Sequence, residues 1–105
     1  MVQIDESDMA ALTEAVRVWT GWGHSTFPRR DNVAVANALG SVAAAKLLPV
    51  LEALAEEFYS TNARLVAADV HEMSEVALAQ FKAKYPDLPA QIAEAFAWCY
   101  TFDFK

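Results

Sequence analysis

The chain has 105 residues, enough for one domain that buries roughly two thirds of its unfolded surface around a single core. Fourteen acidic and eight basic side chains give a net charge of −6, which argues against nucleic acid as a partner because phosphate binding needs a positive footprint. The single cysteine excludes an internal disulfide framework and any zinc site built from several cysteines.

The start of the chain bears on where the protein works. It carries Asp5, Glu6 and Asp8 instead of the basic and then apolar stretch of a secretion signal. The longest apolar run is far shorter than the roughly 20 residues that span a bilayer. A lone cysteine suits a reducing compartment. We therefore expect a cytoplasmic protein without a membrane partner.

The first helix is predicted from about Asp5 or Ser7 to Thr20. Its apolar stripe recurs at helical spacing and consists of Met9, Leu12, Val16 and Trp19. Gly21 or Gly23 suits the end of this helix because glycine accepts the left-handed conformation of a C-terminal cap. The first predicted element is therefore an amphipathic helix that leads into a glycine-rich loop.

Two further helices are predicted before residue 60. Asp31 is a suitable N-cap for a short helix that ends at Gly40. From Ser41 to Tyr59 one apolar face is kept across Pro49, and its members are Ala44, Leu47, Leu51, Leu54 and Phe58. The unbroken phase favours one kinked helix with its proline on the wet side. The alternative is that Pro49 opens a new helix at its first turn.

The second half of the chain predicts two more helices, over about 62–84 and from Asp87 or Leu88 to about Tyr100. The tail after them, "FAWCYTFDF" at 96–104, places aromatic residues at strict alternation, which is also the pattern of a strand. A lone strand has no partner in a helical chain unless "VQI" near the start supplies one, so we favour an extended tail that folds back on the bundle. The predicted fold is a single all-α domain over 1–105, a bundle of four to five helices with an extended aromatic C-terminal tail.

The segment "GWGHSTFPRRD" at 21–31 concentrates unusual residue types. Arg29 and Arg30 precede a helix N-terminus, where positive charge is mildly unfavourable. Asp69 falls at the margin of the apolar face of the predicted 62–84 helix, where a carboxylate needs a cation or hydrogen bonds. We therefore predict a structural ion pair between Asp69 and Arg29 or Arg30 that holds the loop against the bundle.

A second interpretation of the same loop is a binding site for a small anion. His24, Ser25, Arg29 and Arg30 would act there together with backbone N–H groups of the following helix. Both interpretations hold together if one arginine faces inward and the other faces solvent.

No metal, cofactor or catalytic site is predicted. "HEMSE" at 71–75 differs by one residue from the HExxH zinc signature, since Glu75 stands where the second histidine belongs. His24 is the only other imidazole, so His71 and Glu75 are interpreted as an ordinary pair on a solvated helix face. Cys99 lies on the apolar face of the last helix, where a thiol is usually inert.

The surplus of aromatic residues predicts a protein-binding surface. Trp22 and Trp98 fall outside the apolar stripes, and Phe102 and Phe104 follow in the tail. The leading hypothesis is a non-catalytic interaction or regulatory protein that forms a homodimer or docks on another protein through these four residues. The alternatives are a binder of a small anion, or an enzyme acting on one, at the 21–31 loop, and a structural piece of a larger assembly.

Overall fold

A computed structural model describes residues 3–23, 25–26, 28–61 and 68–103. This part of the chain forms a short 3₁₀ turn at Glu6–Asp8 followed by five α-helices, and it contains no strand. The helices are α1 (Met9–Thr20), α2 (Asn32–Leu39), α3 (Ser41–Tyr59), α4 (Val70–Lys84) and α5 (Ala90–Asp103). The all-α fold predicted from the apolar spacing is confirmed.

Local capping chemistry sets the ends of the first helices. Gly21 follows α1 with a φ of 81°, in the left-handed region, and its N–H donates to the carbonyl of Arg17. The Asp31 carboxylate accepts from the N–H of Ala34 at 3.0 Å, and this bond lowers the pKa of Asp31 below its usual 3.8. Gly40, with a φ of 91°, separates α2 from α3. The predicted caps at these three positions are confirmed.

Helix α3 runs through Pro49 as one continuous element. Pro49 is exposed, so the backbone carbonyl that loses its helical partner there lies on the solvent side. The opposite face is fully buried and consists of Leu47, Leu51, Leu54 and Phe58. The favoured prediction of a single helix is confirmed, because the buried stripe keeps its phase across the proline.

The centre of the core is a cluster of aromatic rings from three helices. The ring of Phe58 on α3 lies 5.2 Å from that of Phe81 on α4, and 6.0 and 5.6 Å from those of Phe96 and Tyr100 on α5. All four side chains are at most 2% exposed. Tilted and edge-on ring contacts at these distances add stabilisation beyond the burial of area. This cluster fixes the positions of α4 and α5 on α3.

Two expectations for the second half of the chain are corrected. Helix α4 begins at Val70 rather than near residue 62, and residues 62–67 lie outside the described part. Helix α5 continues through Asp103, so residues 101–103 are helical and not an extended tail. Phe96 and Tyr100 are four residues apart and both buried, which favours the helical period over the alternating one.

Candidate functional site

The loop after α1 is held to the end of that helix by its own backbone. The N–H of Arg29 donates to the carbonyl of Thr20 at 2.8 Å, and the N–H of Asp31 donates to that of Trp19 at 3.1 Å. The N–H of Ser25 donates to the carbonyl of Gly21 at 2.8 Å. The predicted ligand residue His24 lies outside the described residues. The described part of the loop is therefore a compact turn against α1.

The structure does not form the predicted ion pair to Asp69. Arg29 pairs with Asp31 at 2.7 Å, and Arg30 pairs with Asp103 on α5 at 3.1 Å. The Asp69 side chain is exposed and accepts from a backbone N–H in the first turn of α4 at 2.8 Å. Helix α4 begins at Val70, so Asp69 is the N-cap of this helix and not a residue on its face. The hydrogen bond of the N-cap satisfies the Asp69 carboxylate.

Asp103, and not the predicted Asp69, is the carboxylate that pairs with Arg30. Its Oδ2 accepts from Arg30 and, at 2.5 Å, from the hydroxyl of Tyr59 at the end of α3. The Arg30 guanidinium also lies over the Tyr59 ring, 5.2 Å from its centroid. Burial and the bond to Asp103 raise the pKa of Tyr59 well above its usual value. These contacts hold the loop against the ends of α3 and α5.

The two arginines border a cleft of about 120 Å³. Its lining consists of Pro28, Arg29, Arg30, Cys99 and Asp103. Both guanidinium groups are about half exposed, and each already has a carboxylate partner. The positive charge available to an anion is therefore reduced by Asp31 and Asp103.

Cys99 is expected to be unreactive in the folded protein. The side chain is 3% exposed, and burial raises the pKa of its thiol to about 11 from 9.0, which lowers the thiolate fraction at pH 8 about 100-fold. Alkylation at pH 8 should therefore be slow in native buffer and fast in denaturant. Native labelling as fast as that of the unfolded chain would contradict the burial of this thiol.

No metal centre is found among the described residues. They contain no group of three or more histidine, cysteine, aspartate or glutamate side chains that could hold an ion. His71 Nε2 lies 3.1 Å from Glu75 Oε1, and the two side chains are 85% and 68% exposed. The interpretation of "HEMSE" as a solvated helical pair is confirmed. None of the described helices is long and apolar enough to cross a bilayer.

A groove lies between the start of α4 and the end of α5. Its volume is about 510 Å³, and its lining consists of Val70, His71, Ser74, Trp98, Thr101 and Phe102. We call these six residues the hairpin groove. Phe102 is 50% exposed, the only exposed aromatic side chain in the described part of the chain. The lining holds no lysine, arginine, aspartate or glutamate.

The hairpin groove brings together only some of the predicted interface residues. Trp98 and Phe102 share it, one helical turn apart. Trp22 is half-buried against the core and is not part of the lining, and Phe104 lies outside the described residues. Sequence reasoning missed the α4 wall, because Val70 becomes a neighbour of Trp98 only when α4 and α5 pack as an antiparallel pair.

A second cleft of about 460 Å³ lies beside α1, α2 and α3, with mixed charges. Its lining consists of Trp19, Arg30, Asn32, Glu52, Ala55, Glu56 and Tyr59. The indole N–H of Trp19 donates to Asn32 Oδ1 at 2.8 Å, and Arg30 is held by Asp103. Several of its polar groups are therefore already bonded within the protein.

Comparisons with protein-family models, with curated proteins and with solved structures give no match to this chain. The choice among the three surfaces therefore rests on their own chemistry. The cleft beside Arg29 and Arg30 is small, and each of these arginines is already paired with a carboxylate. In the cleft beside α1, α2 and α3, several polar groups are already hydrogen-bonded within the protein. The hairpin groove differs from both because it exposes an aromatic side chain beside an uncharged wall.

Proposed function

We propose that this protein is a non-catalytic docking module that binds another polypeptide in the hairpin groove. The observation that carries the proposal is Phe102, half exposed at the edge of a groove without a formally charged acidic or basic residue in its lining. Water contact with so large an apolar side chain is unfavourable, and its burial against a partner recovers that free energy.

The composition of the groove suits a protein partner. Aromatic residues are enriched and charged residues depleted at the centres of protein interfaces. The lining of the groove has the same composition, since it contains Trp98 and Phe102 and no lysine, arginine, aspartate or glutamate. The Thr101 hydroxyl donates within α5, to the Ala97 carbonyl at 3.1 Å, so its presence in the wall leaves no unmet donor. The partner would place an uncharged aromatic or aliphatic side chain in the groove.

The anion-binding alternative has weaker support. Arg29 and Arg30 already neutralise Asp31 and Asp103, so an incoming anion competes with two carboxylates. Loss of the Arg30 contact would also release the loop from α5. These contacts support a structural role for the two arginines more than a ligand-binding one.

Peptides selected from a random displayed library test the docking proposal. Binders of this site should share an uncharged aromatic or aliphatic anchor, and Phe102→Ser should weaken their binding at least about tenfold because it removes the exposed aromatic side chain that they would contact. Val42→Ser, at an 85% exposed position on α3, is the matched control and should leave binding unchanged.

The same variant separates docking from a core role. Phe102→Ser should lower the free energy of unfolding by less than about 1 kcal/mol, because half of the ring is already in solvent, whereas Phe96→Ala on the same helix should cost about 3–5 kcal/mol. A loss above about 1 kcal/mol for Phe102→Ser, or peptides that bind this variant as tightly as the wild type, would refute the proposal.

A further inference from the structure

We infer that the polypeptide segment that binds in the hairpin groove is basic. One aromatic or aliphatic side chain of the segment enters the groove, and lysine or arginine residues lie within about four residues of it on both sides. This inference rests on the proposed function and adds the chemistry of the partner. It follows from the contrast between an uncharged groove and the acidic surface that borders it.

The helix ends that form the groove carry charge of one sign. Residues 68–78 and 94–103 contain no lysine or arginine but five carboxylates, those of Asp69, Glu72, Glu75, Glu94 and Asp103. Asp103 is paired with Arg30. Glu72 is two positions from both Val70 and Ser74, which places it on the opposite side of α4 from the groove. Three carboxylates remain to border the groove.

These three carboxylates lie at different points around the groove. Asp69 is the N-cap at the start of α4, and Glu75 Oε1 lies 3.1 Å from Nε2 of the lining residue His71. Glu94 is one turn before Trp98, on the same side of α5. All three are exposed, and none of them forms an ion pair with a lysine or arginine of the described residues. Their negative charge is therefore available to a partner.

The spacing of the carboxylates predicts where the basic residues of the partner lie. Glu94 and Phe102 are eight residues apart on α5, which is about 12 Å along the helix. About four residues of extended chain cover the same distance. Asp69 lies at the other end of the groove, because the start of α4 lines it together with the end of α5. A segment anchored beside Phe102 therefore meets a carboxylate in both directions.

The charge of the whole chain acts in the same direction. A net charge of −6 attracts a basic segment and repels a second copy of the chain or an acidic segment. Exposed ion pairs at the border of an interface contribute little individually, so the apolar anchor supplies most of the affinity. The carboxylates then select, among segments with a suitable anchor, those with basic neighbours.

Peptides selected through Phe102 from the displayed library test the chemistry of the partner. Lysine and arginine should be enriched within about four residues of the anchor, compared with the unselected library. Replacing these basic residues with glutamine in a synthetic copy of one such peptide should weaken binding about three- to tenfold. The difference between the two peptides should shrink as salt is raised from about 0.05 to 0.5 M, because salt screens the charges.

Variants of the protein locate the charges that the peptide contacts. Glu75→Gln combined with Glu94→Gln should weaken the basic peptide about three- to tenfold and leave the glutamine-substituted peptide unaffected. The matched control is Glu6→Gln combined with Asp87→Asn, which also lowers the net charge from −6 to −4 at exposed positions. Asp87 follows the far end of α4, more than about 15 Å from the groove, and Ile4 near Glu6 lines a cleft with it. The control pair should therefore bind the basic peptide like the wild type.

The failure of this inference is distinguishable from failure of the docking proposal. Peptides with neutral or acidic neighbours that bind through Phe102 as tightly as basic ones would overturn the basic partner and leave the docking surface in place. Equal losses in the two double variants would show that the carboxylates beside the groove have no special part, and would also overturn it. A wild-type chain that dimerises in sedimentation, while Phe102→Ser stays monomeric, would make a second copy the occupant instead. Selective weakening by Glu75→Gln with Glu94→Gln supports the inference.

Discussion

Replacing Phe58 with alanine is expected to lower the free energy of unfolding by about 3–5 kcal/mol. Phe58 is fully buried and its ring contacts those of Phe81, Phe96 and Tyr100, which come from the two other helices of the aromatic cluster. Alanine removes the apolar surface and leaves a cavity that three neighbouring rings cannot all collapse to fill. Small domains have only about 5–15 kcal/mol of stability in total, so a large share is lost.

Urea denaturation followed by circular dichroism measures this loss. Phe102→Ala is the matched control, since it removes the same atoms from a half-exposed site and should cost less than about 1 kcal/mol. A loss below about 1 kcal/mol for Phe58→Ala would show that the aromatic cluster is not the centre of the core.

Gly21→Ala is expected to cost about 1–3 kcal/mol, because it forces an L side chain into the left-handed region at a crowded site. Gly21 has a φ of +81°. A Cβ built there would lie 2.7 Å from the Cβ of Ser25, which is closer than two non-bonded carbon atoms approach in proteins. The loop that the Ser25 N–H closes onto Gly21 would have to move.

Gly23→Ala separates the two causes of this loss. Gly23 has a similar φ of +88°, but a Cβ there meets no atom of the described residues within 4 Å. Thermal denaturation should therefore show a smaller loss for Gly23→Ala, and the difference between the variants measures the contact with Ser25. Equal losses would show that backbone conformation alone accounts for both, and that Ser25 adjusts freely.

Features set by local chemistry were predictable from the sequence. The caps at Gly21, Asp31 and Gly40 and the continuity of α3 through Pro49 depend on residues within one or two turns of each other. Such short-range chemistry acts in the same way wherever the helix later packs, so the sequence contains the information needed to place it.

Features set by packing were not predictable in the same way. The prediction for Asp69 failed because it depended on a helix start that the structure places at Val70, which converts a supposed face position into a cap. Asp103 was missed as the partner of Arg30 because an extended tail was expected where α5 in fact continues. Different helix boundaries thus account both for the failed Asp69 pair and for the missed pair between Arg30 and Asp103.

The candidate site shows the same division. Trp98 and Phe102 were identified from the sequence as surplus aromatic residues, and the structure places both in one groove. The opposite wall, which includes Val70 and Ser74, carries no sequence signal of its own, because small and aliphatic residues are common on any helix. Only the antiparallel packing of α4 on α5 makes these residues part of the site.

The most direct test of the groove as the interaction surface is the indole N–H signal of Trp98 in a nitrogen-15 correlation spectrum. Three tryptophans give three such signals, and that of Trp19 is held by its bond to Asn32. When a selected peptide is added, the Trp98 signal is expected to move while those of Trp19 and Trp22 stay in place. A Trp98 signal that stays fixed when a selected peptide binds would contradict the account, and movement of the Trp22 signal alone would place the interface elsewhere.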